Sequence, residues 1–195
     1  MILATPFLSD AAARLRASVV AIVDESRRRG GHGAGIAWGG EDLFVTSAHV
    51  VTMKHAIVLT SDGRTVEGTV VGRDTERDLA VVHAPTAAVP AVTTRDPATL
   101  RPGSLVFAVG HPLGVREAVS VGVLQAVRAL PHGYGLNGKG SLSWVQADVR
   151  LAPGNSGGPI ADVEGNVIGV AAMIVSGLAL AVPAPEVDRL LLGLK

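Results

Sequence analysis

Along most of the chain, apolar residues come in short runs broken by Gly, Pro, Asp or Asn. A first series of valine- and isoleucine-rich runs comprises Val19–Val23, Gly35–Trp38, Leu43–Ser47, Ala56–Thr60, Thr65–Val71 and Leu79–His83. A second comprises Leu105–Gly110, Ala118–Ala126, Leu142–Asp148, Pro159–Asp162, Val167–Ile174 and Leu178–Val182. Strands of this length, at this spacing and bounded by turn formers, predict an all-β sandwich or barrel. No long helical period interrupts them, which argues against a parallel sheet with crossover helices. Helical patterning is confined to the two ends. Ser9, followed by Asp-Ala-Ala-Ala-Arg-Leu-Arg, reads as the cap of a short helix whose exposed backbone donors it accepts. Pro183 and Pro185 read as the start of a short C-terminal helix over about 185–194.

Four prolines between Pro85 and Pro102 mark a linker between two strand-rich halves. The expected organisation is one domain over 1–195. It has an N-terminal barrel at about 18–84, a linker at about 85–102 and a C-terminal barrel at about 103–184, each barrel six-stranded and antiparallel. Pro131–Gly140, with five glycine or proline residues, reads as a mobile surface loop. With 195 residues, 48% hydrophobic and 17% charged, the chain can bury one large or two small cores.

Charge narrows the function classes. Seventeen basic residues balance seventeen acidic ones, so there is no global pull toward nucleic acid or anionic membrane. Arg27, Arg28 and Arg29 form the densest cluster and read as a solvated loop. No run approaches the roughly 18 apolar residues of a membrane span. Met1–Ala4 is too short for a signal-peptide core, so the expected compartment is cytoplasmic if Met1 is native and periplasmic or secreted if a leader has been removed. The chain has no cysteine, which excludes disulfides, thiolate metal sites and a cysteine nucleophile. The six histidines lack metal-ligand spacing, and no metal or organic cofactor is expected.

The most informative segment is Pro153-Gly154-Asn155-Ser156-Gly157-Gly158-Pro159. A serine hydroxyl is a poor nucleophile until a base takes its proton and donors stabilise the resulting oxyanion. Flanking glycines allow a sharp turn that aims the Gly154 and Ser156 amides into one small space, with Asn155 between them. The bland reading is a turn made of common turn residues. The same residues formally match G-x-S-x-G, but an α/β-hydrolase needs its histidine after the serine, and all six histidines here precede Ser156.

His49 ends the apolar strand Leu43–Val45 through small residues and is the candidate base. His111 sits at a turn and reads as structural, His32 and His132 lie in glycine-rich loops, and His55 and His83 have no neighbouring motif. The base needs a carboxylate to fix its tautomer. Asp78 opens the apolar run Leu79–Val82 and is the first choice. Asp74 is the weaker one, and Asp62 before Gly63 reads as a hairpin turn residue.

With these residues in place, the chain resembles the HtrA (DegP-like) group of chymotrypsin-fold serine proteases, from about Ser18 to about Leu192. The segments that carry the likeness are Gly33-Ala34-Gly35-Ile36 leading to Thr46-Ser47-Ala48-His49-Val50-Val51, and Val71–Asp74 through Arg77–Val82. They continue with Arg101–Gly103 through Val109–Gly114, Gln146–Asp148 to Pro159, and Ala181-Val182-Pro183 before the final helix. The resemblance implies endopeptidase activity on unfolded or partly folded polypeptides, commonly in protein quality control. It carries the triad onto His49, Asp78 and Ser156 and the oxyanion donors onto Gly154 and Ser156. Ala171, Ala172 and Met173 would border the primary specificity pocket and pair with the substrate backbone, with Arg150 and Leu151 nearby. Alanine and methionine there favour a small or medium apolar side chain, whereas an inward Arg150 would favour an acidic one. His111 and Ala152 stand where the family usually has asparagine, and the twelve residues after Pro183 are too few for the substrate-binding PDZ domain that usually follows. Relatives often form trimers, so a homo-oligomer is a further expectation. The alternative function is a resting or non-catalytic protein-binding module on the same fold.

Overall fold

The computed structural model describes residues 4–24, 32–40, 42–85, 87–111, 118–129 and 143–194. In chain order the elements are α1 (Ala4–Arg16), β1 (Val19–Asp24), β2 (His32–Ala37), β3 (Leu43–Ser47), β4 (His55–Leu59), β5 (Thr65–Asp74) and β6 (Leu79–His83). A 3-10 turn at Pro97–Thr99 precedes β7 (Leu105–Gly110), β8 (Ala118–Ala129), β9 (Ser143–Asp148), β10 (Pro159–Asp162), β11 (Val167–Val175), β12 (Leu178–Pro183) and α2 (Ala184–Leu192). The strands close into two antiparallel barrels, in the order β1-β2-β3-β6-β5-β4 and β10-β11-β12-β9-β8-β7. The all-β fold expected from the pattern is the fold observed. The Arg27–Arg29 cluster, His132 and the Pro131–Gly140 loop lie outside the described residues.

The apolar runs are nearly continuous because both faces of the inner strands are buried. In the first barrel Val20, Ile22, Phe44, Val58, Ala80 and Val82 form the interior. Their alternating neighbours Val19, Val45, Leu79 and Val81 face a separate cluster shared with Phe107, Val109, Val170 and Val182 of the second barrel. The second barrel is filled by Val106, Ala108, Leu124, Val145, Ile160 and Ile168 among others. Strand alternation thus divides each run between a barrel interior and the seam between barrels. Each fully buried Val, Ile, Leu or Phe contributes about 1.5–3 kcal/mol.

One detail differs from the pattern. Helix α1 is already under way at Ala4, with Ser9 in its interior, so Ser9 does not cap it. Ala11 and Leu15 of this helix pack into the seam cluster, and that burial carries the helix past the local capping signal. Within the expected linker, residues 93–95 lie against the second barrel. Thr94 bridges Val167 in parallel, and Arg95 N–H donates to Val167 C=O at 2.9 Å.

Candidate active site

The site lies where the seam reaches the surface, with one half supplied by each barrel. After β3 the chain turns at 48–50, which brings His49 beside the start of β6. His49 Nδ1 and Asp78 Oδ2 are 2.6 Å apart, and His49 N–H donates to Asp78 Oδ1 at 2.9 Å. Ala48 N–H donates to the Asp78 carbonyl at 3.0 Å. With an ionised carboxylate accepting from a protonated Nδ1, Nε2 is the ring's acceptor. The His49 side chain is 50% exposed and the Asp78 side chain 16%, so the ring stays accessible while the carboxylate is largely covered. Asp78 adopts φ of 56°, a left-handed conformation that costs a non-glycine residue about 1–2 kcal/mol. The three hydrogen bonds it accepts from Ala48 and His49 offset that cost.

The other acidic candidates do different work. Asp74 Oδ1 accepts from the N–H groups of Glu76 and Arg77, and its Oδ2 accepts from Arg77 Nη1 at 2.7 Å. Burial pushes this carboxyl up, but the hydrogen bonds and charge of Arg77, with the two N–H groups, outweigh it and hold the group below its ordinary range. Asp62 accepts from Thr60, and from Arg64 Nε at 2.8 Å, at the β4–β5 turn. Hydrogen bonds from Thr60 and Arg64 hold its carboxyl low as well.

The second barrel supplies the serine. Asn155 N–H donates to Ala152 C=O at 3.0 Å across Pro153-Gly154, and Gly154 has φ of 104°. Proline followed by a left-handed glycine is the composition of a type II turn, which needs glycine at its third position. Asn155 is buried between this turn and Gly110, and its Oδ1 accepts no hydrogen bond among the described residues. Among the described residues, neither Gly154 N–H nor Ser156 N–H donates to a backbone carbonyl. Ser156 itself is half-buried.

Two hydrogen-bond chains cross the seam and tie the halves together. Ala34 N–H donates to Ser156 C=O at 2.8 Å, and Thr46 Oγ1 donates to Ala34 C=O at 2.7 Å. Ser47 Oγ donates to Ala171 C=O at 3.1 Å, which also accepts from Gly157 N–H at 2.7 Å. Thr46 and Ser47 lead directly to His49, and Gly157 follows Ser156. The sequence placed Thr46, Ser47 and Ala171 near the site but gave no sign of these bonds, because a hydroxyl does not announce a partner 124 positions away.

This architecture is shared. The trypsin-like peptidase domain matches residues 33–170. This chain belongs to that family. HTRA2, a mitochondrial serine protease of Drosophila pseudoobscura pseudoobscura, is 34% identical over 156 residues, covering 78% of this chain and 36% of the relative. The serine protease HTRA1 of Xenopus tropicalis is 30% identical over 162 residues, covering 82% of this chain and 35% of the relative. A solved HtrA-type protease, AlgW with a tripeptide, superposes with a TM-score of 0.85 at 28% identity, over 95% of this chain and 62% of that one. The resemblance to the HtrA group read from five sequence segments is therefore found again in relatives and in fold. As a trypsin-like peptidase domain, the chain spans about a third of the length of the curated relatives it matches.

Beside Ser156 is an open pocket of about 270 Å³ lined by Leu151, Ala152, Pro153, Asn155, Ala171, Ala172, Met173 and Ile174. Arg150 is exposed and is not among its lining residues. A bulge between Ala171 and Met173 interrupts the pairing of β11 with β12 there. Beyond Ala171, β11 is paired only with β12 among the described residues, because β10 ends its pairing at Val170. Of the remaining histidines, His111 is buried and its N–H donates to Gly154 C=O at 3.2 Å, which braces the serine turn. His55 and His83 are exposed on β4 and β6. Among the described residues no group of three or more His, Cys, Asp or Glu could hold a metal ion, and no helix is long and apolar enough to cross a membrane.

Proposed function

We propose that this chain is a serine endopeptidase with His49 as base, Asp78 as its orienter and Ser156 as nucleophile. The observation that carries the reading is the pairing of His49 with Asp78 at 2.6 Å on one barrel, tied across the seam to the Ser156 turn on the other. In the first step His49 Nε2 takes the Ser156 proton as Oγ attacks a peptide carbonyl. The oxyanion that forms lies on the Gly154 and Ser156 N–H groups, and His49 then returns the proton to the leaving amine. Water repeats the sequence on the acyl-enzyme. Asp78 stays ionised and favours the imidazolium throughout.

Substrate class follows from the groove. The open side of β11 beyond Ala171 suits an extended peptide added as a strand, which an unfolded or partly folded chain offers most readily. Unfolded or partly folded polypeptides are therefore the proposed substrates, in the manner of protein quality control. The apolar pocket beside Ser156 selects a small or medium apolar side chain before the scissile bond, and Arg150 outside it gives no acidic preference. Incubation with an unfolded protein, followed by mass spectrometry of the cut sites, tests this. Wild type should cut after Val, Ala, Leu or Met, and His49→Ala should lower the rate by about three or more powers of ten. Cutting after Asp or Glu would contradict the pocket assignment, and equal rates for the two proteins would contradict the triad.

A further inference from the structure

Helix α2 follows the last strand of the second barrel, yet it and the residues just after it are anchored on the first. Trp38 Nε1 donates to Asp188 Oδ1 at 2.8 Å, and the Leu194 side chain lies over Gly72 of β5. The third anchor is of a different kind. Arg77 Nε donates to Glu186 Oε2 at 3.1 Å, and Glu186, in the first turn of α2, is also held by Arg189. Arg77 Nη1 meanwhile holds Asp74 at 2.7 Å, so one guanidinium bridges the β5–β6 turn to the helix. The hydrogen bond to Asp74 and then the Asp74 and Glu186 charges keep Arg77 firmly protonated.

The next residue is Asp78, which is left-handed at φ of 56° and therefore depends on its surroundings to stay in place. His49 and Ala48 hold it from one side. Arg77 holds the same turn from the other. We propose that Arg77 and Glu186 are positioning residues, through which α2 sets the turn that presents Asp78 to His49. The inference rests on the triad reading for its catalytic consequence, though not for the coupling itself. Displacing the first turn of α2 then loosens the orienter of the base without touching the serine or the substrate pocket. A partly exposed ion pair adds little to global stability, so its loss leaves the fold intact.

The experiment combines amide hydrogen exchange with inactivation by a fluorophosphonate probe in wild type, Arg77→Ala, Arg77→Lys, Glu186→Gln, the Arg77→Ala/Glu186→Gln double variant and Trp38→Phe. Trp38→Phe serves as the control, because it removes the bond from Trp38 to Asp188 of α2 and leaves Asp74, Arg77 and Glu186 in place. The expected result is about tenfold faster exchange of the Ala48 and His49 N–H groups in Arg77→Ala and Glu186→Gln. Inactivation should be about tenfold slower, with KM for a peptide substrate unchanged. Arg77→Lys should recover part of both, and the double variant should be no worse than either single one. Trp38→Phe should lower the melting temperature and leave both readouts at the wild-type level. Unchanged exchange at Ala48 and His49 in the pair variants overturns the proposal, as does an equal effect from Trp38→Phe. Faster exchange in a protein that the probe never labels would support the coupling and overturn the peptidase reading instead.

Discussion

A methyl group added at Gly157 would stand 2.2 Å from Thr46 Oγ1 and 2.3 Å from the Ala34 carbonyl, both on the first barrel. Gly157 also has φ of 83°, so a side chain there is opposed twice, by the backbone and by the seam. Gly157→Ala should destabilise the fold by about 2–4 kcal/mol, read as a shift in the urea midpoint, and should slow probe labelling with it. A midpoint within a few tenths of wild type would mean that the serine turn and the first barrel are not in the contact described. Residue by residue, the sequence was informative where chemistry needs a fixed order and a fixed composition. His49 before Ser156, and glycine around the serine, are proposed on that ground. The hydroxyls of Thr46 and Ser47 could not, since nothing local distinguishes a seam-crossing hydroxyl from a solvated one. Arg77 falls in a segment that carries the family likeness, but nothing local shows that its partner Glu186 lies 109 positions on.

Among the elements, the β5–β6 turn carries the clearest pH dependence. Asp74 has its folded-state carboxyl below the ordinary value, so its contribution to stability is present above that value and is lost as pH falls through the folded one. Asp74→Asn should therefore cost about 1 kcal/mol at pH 7, measured by urea unfolding, and the gap to wild type should close in the acid range below about pH 4. A gap that persists unchanged at pH 3 would contradict the linkage. Strand limits were legible where a turn residue abuts an apolar run. Leu43–Ser47, Leu79–His83, Leu105–Gly110 and Pro159–Asp162 form with the bounds the pattern gives. Others run on, as β5 does to Asp74 and β8 to Ala129, because pairing with a neighbouring strand extends them past the local signal. Helix α1 begins ahead of Ser9 for a related reason, since its packing on the seam is a tertiary effect that capping rules do not contain.

At the scale of the whole molecule, the seam cluster is the feature that joins the two barrels. Leu79 and Val81 of the first barrel pack with Phe107, Val109 and Val182 of the second, and the two polar chains through Ala34 and Ala171 run along the same surface. Thermal unfolding should accordingly be a single transition with coincident near- and far-ultraviolet signals, and two resolved transitions would mean that the barrels are energetically separate. Two strand-rich halves could be anticipated from the strand series. Their contact could not, because a run buried on two faces looks the same whether its second face meets another barrel or a helix. On the proposed reading, this contact assembles an activated serine. The measurement that tests it most directly is labelling of the folded protein with a fluorophosphonate, with the adduct mapped by mass spectrometry in wild type and Ser156→Ala. One adduct per chain on Ser156, absent in the variant and after heat unfolding, is the result expected. A well-folded wild type that takes up no probe, or takes it up equally with alanine at 156, would mean that Ser156 is not activated.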